Sequence, residues 1–235
     1  MNNDPWKHLR KGLFRSVEPE VELMACMKPE PKFEKEFTPE SLPGYVARWS
    51  HEAPSDYAGD IKRNRIMREK KHTTPAEFLS FVFQVYGITK SLQNQWVRQR
   101  IGVAWVYRST RFVSADQNEF VYCTYDYIND ARKVEQLLAI DERHAKQAIE
   151  DYQEKRKLGA TKQDSRKIMP VFWNTPCCFK ANVQSLRHFF TLRLEKDAEW
   201  EIRRLARLFF SIVMEKAPSL FEDMVDLAGT GELIK

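Results

Sequence analysis

Leu79, Phe81, Phe83 and Val85 stand on alternate positions of the stretch LSFVFQVYG. This period-two spacing specifies a strand with one very apolar face, and such a face must be covered by a second layer. The chain carries helices to cover it. After Asp197, read as a cap, Ile202, Leu205, Ala206, Phe209, Ile212 and Val213 recur on one helical face, and Pro218 ends that helix. A second long helix is predicted over 130–157, through Val134, Leu137, Leu138, Ala145, Ala148, Ile149 and Tyr152. A third is predicted over about 182–192, opened by Asn182. EVELMACM at 20–27 reads as a further strand, SLPGYVARWS at 41–50 as a short helix, and EFVYCTYDYI at 119–128 as β-prone. Thr74-Pro75-Ala76-Glu77 reads as a helix start, with Thr74 as cap and Glu77 as its reciprocal partner. Thr89 or Ser91 opens the helix that carries Gln95 and Arg98. Residues 28–40 and 52–71 are polar and read as exposed surface. Strands and helices mix without regular alternation. The expectation is therefore an α+β fold, a mixed sheet with packed helices and a helical lobe, in a single domain over 20–235 after an extension at 1–19.

Composition excludes several classes of function. No apolar run approaches the roughly 18 residues of a membrane span, and the N-terminus has no secretory core. Cys26, Cys123, Cys177 and Cys178 suggest neither a disulfide framework nor a zinc set, so a reduced, cytoplasmic setting is expected. The five histidines are scattered, and no metal site is expected. A net charge of +5 is too modest for a nucleic-acid coat. No P-loop, GxSxG or GxGxxG pattern occurs.

Three polar clusters remain. Gln95-Trp-Val-Arg98-Gln99-Arg100 presents two guanidinium forks and an amide, suited to phosphate or carbonyl oxygens or to surface ion pairs. Tyr107-Arg108-Ser109-Thr110-Arg111 can cradle a phosphate, or simply form a strand edge. Asn182-Val-Gln184-Ser-Leu-Arg187-His188, followed by Arg193, is either a capped surface helix or a ligand-facing one.

In order and spacing these pieces resemble the flavin-dependent thymidylate synthases, from about residue 45 onward. The matching residues are Ser50 after Ala47-Arg48-Trp49, His72-Thr73-Thr74-Pro75-Ala76-Glu77, and Arg166 before Met169-Pro170. They continue with Asn182-Val-Gln184-Ser-Leu186, Phe189-Phe-Thr-Leu-Arg193 and Ala198-Glu-Trp200-Glu201-Ile202. The departures lie in the family's Arg-His-Arg-x-x-Ser-x-Asn-Glu-x-Ser-x-Arg-Tyr signature. Here Arg98-Gln99-Arg100 and Ser109-Thr-Arg111 match its ends once one residue is inserted, and the central His, Ser, Asn and Glu are missing. Gln184 replaces an arginine expected near the flavin.

The resemblance implies a homotetramer with sites at subunit interfaces. It implies FAD, NADPH as reductant, methylenetetrahydrofolate as one-carbon donor, and a pyrimidine nucleotide monophosphate as substrate. By the same resemblance Gln95, Arg98, Ser109, Arg111, Arg166 and Arg193 bind the nucleotide. Arg193 is the catalytic group that stabilises charge on the base. Ser50, His72, Thr74, Arg98, Gln99, Arg100, Asn182, Gln184 and His188 surround the flavin. The implied reaction is dUMP to dTMP. The alternatives are C5 methylation or hydroxymethylation of dCMP or UMP, and a homologue that binds nucleotide or flavin without catalysis.

Overall fold

A computed structural model describes residues 4–54 and 56–229. In chain order its elements begin with α1 (Lys7–Arg10), β1 (Glu20–Cys26), α2 (Leu42–Trp49), α3 (Tyr57–Glu69), β2 (Ser80–Tyr86) and α4 (Lys90–Trp96). They continue with β3 (Val103–Tyr107), α5 (Ala131–Lys157), α6 (Lys162–Ser165), β4 (Cys177–Asn182), α7 (Val183–Arg193), α8 (Trp200–Lys216) and α9 (Val225–Ala228). The strands form one antiparallel sheet in the order β1-β2-β4-β3, so the fold is α+β as expected. Two compact units emerge, each assembled from separated stretches of chain. The first comprises 1–20, 85–97 and 106–177; the second comprises 21–84, 98–105 and 178–235.

The second unit holds most of the sheet. Leu79, Phe81 and Phe83 are fully buried. Phe83 meets Phe209 of α8 edge-on at 4.7 Å between ring centroids, and Phe179 of β4 lies 5.5 Å from the same ring. The alternating strand and the apolar helix face thus form one core, as the two periodicities require. The cap of α8 is Glu199, not Asp197: its carboxylate accepts from the amides of Glu201 and Ile202. A carboxylate one residue before the first helical position satisfies those amides, and Asp197 lies too far upstream. Thr74–Phe78 is a short 3-10 helix without a side-chain cap, so the expected capping box is absent. The polar stretch 52–71 contains α3, capped by Asp56.

The first unit packs around α5. Val134, Leu138, Ala145, Ile149 and Tyr152 join Phe120, Tyr122 and Trp173 in its core. Trp6, Leu9, Leu13 and Phe14, within the segment read as an extension, pack against that core. Arg10 is buried among Asp4 and Glu18. The β-prone stretch 119–128 forms isolated bridges at Phe120 rather than a strand. Phe120, Tyr122 and Tyr125 pack into the α5 core instead of a ladder, while Tyr127 is exposed. Among the described residues no helix is long and apolar enough to cross a membrane.

Candidate active site

In the second unit a cavity of about 310 Å3 is bordered by α3, the turn after it, and α7. Lys71 has a φ of 57° and closes α3 in the left-handed conformation. The His72 amide then bonds the Met67 carbonyl and the Lys71 amide bonds that of Arg68, at 2.9 and 3.1 Å. This double closure turns the chain sharply and sets His72 on the cavity wall. α7 supplies Gln184, Arg187 and His188, neighbours at i+3 and i+4 on one helical face. The helix is started by Asn182, whose side chain accepts from the Ser185 amide at 2.8 Å.

The charges around this cavity divide into two kinds. Arg187 forms an ion pair with Asp223 at 2.7 Å, and Arg68 pairs with Glu222 and Asp223. Burial pushes the Asp223 carboxyl up, but hydrogen bonds and charge from Arg187 and Arg68 prevail and hold it at about 2. Lys71, His72 and His188 have no side-chain partner among the described residues. The Gln184 side-chain oxygen is buried without a donor.

The segment 98–102 is fastened to the start of α7. Gln99 Nε2 donates to the Ser185 carbonyl at 2.7 Å, Ser185 Oγ donates to the Ile101 carbonyl at 2.6 Å, and the Asn182 amide bonds Gly102 O at 3.1 Å. Gly102 has φ +68°, and a Cβ there would stand 2.2 Å from Ser185 Oγ. Gln99, Asn182 and Gln184 are therefore gathered at one end of α7. The flanking Arg98 and Arg100 are exposed. Arg193 ends α7, half-buried and without an ion pair among the described residues. Ser50 follows α2, exposed, with its hydroxyl donated to the Ala47 carbonyl; exposed Thr74 adjoins the cavity through Thr73.

The first unit carries a second polar cluster. Arg108 fixes the loop after β3 by donating its amide to the Pro176 carbonyl at 2.9 Å and Nη2 to Asn118 Oδ1 at 3.0 Å. The Phe112 and Val113 amides both fold back on the Ser109 carbonyl. Arg166 reaches this loop through Thr110 Oγ1 at 2.6 Å. Arg111 is exposed, and its guanidinium has no partner among the described residues. Gln95 is half-buried on α4. Ser109, Arg111 and Arg166 are thus brought together in this unit, whereas Arg98 and Arg193 belong to the other. Two cavity residues, Lys71 and Arg68, were not singled out from the sequence. Nothing in their local pattern distinguishes them from other surface cations.

Residues 36–219 match the family model described as thymidylate synthase complementing protein. The chain is 28% identical over 181 residues to the flavin-dependent thymidylate synthase of Thermosipho africanus, covering 72% of this chain and 78% of that one. The protein of the same name from Nitratidesulfovibrio vulgaris is 29% identical over 219 residues, 87% of this chain and 86% of the relative. That from Pyrococcus furiosus is 30% identical over 169 residues, 71% and 68% respectively.

The chain belongs to the flavin-dependent thymidylate synthase family.

That membership makes it one of a family of methyltransferase-type enzymes. The matched span includes the His72 turn, the 98–111 segment, Arg166 and α7, while the carboxylates Glu222 and Asp223 lie beyond it.

Proposed function

We propose that this chain transfers a one-carbon unit from methylenetetrahydrofolate to C5 of a pyrimidine nucleotide monophosphate, converting dUMP to dTMP, with FAD as cofactor and NADPH as reductant. The observation that carries the reading is the convergence of His72, Gln184 and His188 on one cavity in a chain of this family. The residues there fit one end of a flavin dinucleotide. The volume is of ligand size. Lys71, His72 and His188 pair with no carboxylate among the described residues and suit a diphosphate, and the buried Gln184 oxygen suits an N–H of a polar ring. Bound flavin supplies the reducing equivalents.

The remaining roles fall to the chain's own side chains. His72, Thr74, Arg100, Asn182 and His188 hold the flavin, with Ser50, Arg98, Gln99 and Gln184 around them. Arg111 and Arg166 hold the nucleotide phosphate, with Gln95, Arg98 and Ser109 alongside. Arg193 stabilises negative charge developing at N3 and the carbonyl oxygens of the base. Its guanidinium stays protonated and is therefore an electrostatic group rather than a base. No cysteine nucleophile is required. The working assembly is a cytoplasmic homotetramer in which different copies contribute to one site.

A second reading keeps the flavin chemistry and changes the nucleotide to dCMP or UMP, with methylation or hydroxymethylation. It is favoured by β3, which runs as VAWVY where the family signature has polar Asn and Glu. Mass analysis of products from dUMP, dCMP and UMP, each with methylenetetrahydrofolate and NADPH, tests both. A mass gain of one methylene on dUMP is expected. Modification of dCMP or UMP alone transfers the assignment to the second reading, and no product from any of the three leaves a binding protein without catalysis.

A further inference from the structure

Lys90 is the first residue of α4. Its amide bonds the Trp173 carbonyl at 3.2 Å and the Ser91 amide bonds that of Val171 at 3.1 Å, so the start of α4 is pinned to the segment that follows Arg166. The Lys90 ammonium is half-buried and donates to Gln93 Oε1 at 2.7 Å. Arg166 donates to Thr110 Oγ1 at 2.6 Å. Both acceptors are neutral. Neither cation forms an ion pair among the described residues. Asp164, close in sequence, is already engaged by Thr161 and Lys167.

Burial, and then the charge of Arg166, pull the Lys90 ammonium below its ordinary value. Folding therefore makes each of these like charges feel the other and, among the described residues, gives neither an anion. Such a pair is unfavourable in the free protein and becomes favourable when an anion sits between its members. Arg111, whose guanidinium has no partner among the described residues, stands in the loop that the Arg166–Thr110 bond holds.

We propose that Lys90 is a third cation of the nucleotide phosphate site, donating to the phosphate dianion beside Arg166 and Arg111. The inference rests on the phosphate assignment made above and adds a residue to it. Lys90 has two N–H groups left after Gln93 takes one. Its compact charge suits a phosphate oxygen without requiring the planar fork of arginine.

The test uses the full chain loaded with FAD, as wild type, Lys90→Gln and Lys90→Arg. Calorimetry measures dUMP and deoxyuridine, phosphorus NMR titration measures inorganic phosphate, and a melting curve accompanies each variant. Lys90→Gln is expected to weaken both dUMP and inorganic phosphate by about tenfold, the scale of a lost charged hydrogen bond. Deoxyuridine affinity should be unchanged, and the melting temperature should equal or exceed that of wild type because a repulsion has been removed. Lys90→Arg should retain most of the phosphate affinity. Equal phosphate affinity in wild type and Lys90→Gln overturns the proposal. So does a lower melting temperature with parallel losses for deoxyuridine, which marks a structural role. Inorganic phosphate separates this inference from the substrate reading. Lys90-dependent phosphate binding without dUMP binding refutes the pyrimidine nucleotide and sustains Lys90.

Discussion

Arg187 and Arg166 are the same side chain placed under opposite conditions. In the second unit Arg187 and Arg68 are answered by Asp223 and Glu222, which tie α7 and α3 to the chain just before α9. In the first unit Arg166 meets only a hydroxyl, Lys90 only an amide, and Arg111 no side chain among the described residues. An arginine with a carboxylate partner has its charge satisfied by folding. One held in place by neutral groups keeps its charge for something that arrives later. The contrast sorts cations by what faces them, which residue type alone cannot do.

The largest effect expected from this contrast lies at Arg193, which has no ion pair among the described residues although it ends the helix that carries Arg187. Arg193→Lys keeps the charge and loses the fork. Single-turnover product formation should fall on the order of a hundredfold, the scale of one lost preorganised donor. Flavin content and melting temperature should stay near wild type. Near-normal turnover would return this residue to the surface.

Next come the phosphate anchors. Arg166→Ala or Arg111→Ala should weaken nucleotide binding by about 1.5–3 kcal/mol in calorimetry, while FAD affinity changes less. Unchanged nucleotide affinity in both variants would erase the difference drawn between the two units.

A smaller effect separates scaffold from ligand within the second unit. Asn182→Ala removes the cap on the Ser185 amide. It should cost about 1 kcal/mol in denaturant unfolding. If Asn182 also contacts the flavin, FAD titration will show an additional loss at temperatures where the variant remains folded. Intact FAD affinity confines Asn182 to capping.

The smallest effect concerns the satisfied cations and is read through pH. The Asp223 carboxyl is depressed to about 2, so its contribution is present above the ordinary carboxylate pKa and disappears as pH falls through about 2. Its side chain is 43% exposed, and solvent screening reduces the contribution to at most about 1 kcal/mol. Asp223→Asn should therefore be less stable than wild type near neutrality, with the gap closing between about pH 4 and pH 2. A gap independent of pH would show that the carboxylate charge is not what holds α7.

Period and capping made much of this fold legible in the sequence. β2, α5 and α8 followed from apolar spacing, and α7 from Asn182 as its cap; the Asp130 cap of α5 came only with the structure. α3 escaped that reading for a physical reason. The residues it buries are Asp60 and Asn64. Asp60 accepts from Arg48 and Arg63, and Asn64 donates to Ser219 and the Glu40 carbonyl. A helix that buries hydrogen bonds leaves no apolar stripe to detect. The same limit applied at the site. Ser109 and Arg111 were readable as a phosphate cradle or a strand edge, and Arg166, His72, Gln184 and His188 entered through the family pattern. Lys90 carries no motif. Its meaning depends on Arg166, brought near by contacts between α4 and residues 171–173, which lie some eighty positions further along the chain.

The fit of Gly102 against Ser185 also constrains how this sequence can change. A methyl group at position 102 collides with the Ser185 hydroxyl and also with Asn182 Nδ2 at 2.6 Å, and the backbone there already occupies a region that favours glycine. Loss of the serine hydroxyl alone does not admit a side chain at 102, because the Asn182 side chain and the positive φ still oppose it, and that loss forfeits the bond to Ile101. Position 102 is thus bound to both Asn182 and Ser185, so the cap of α7 and the turn before β3 share one steric constraint.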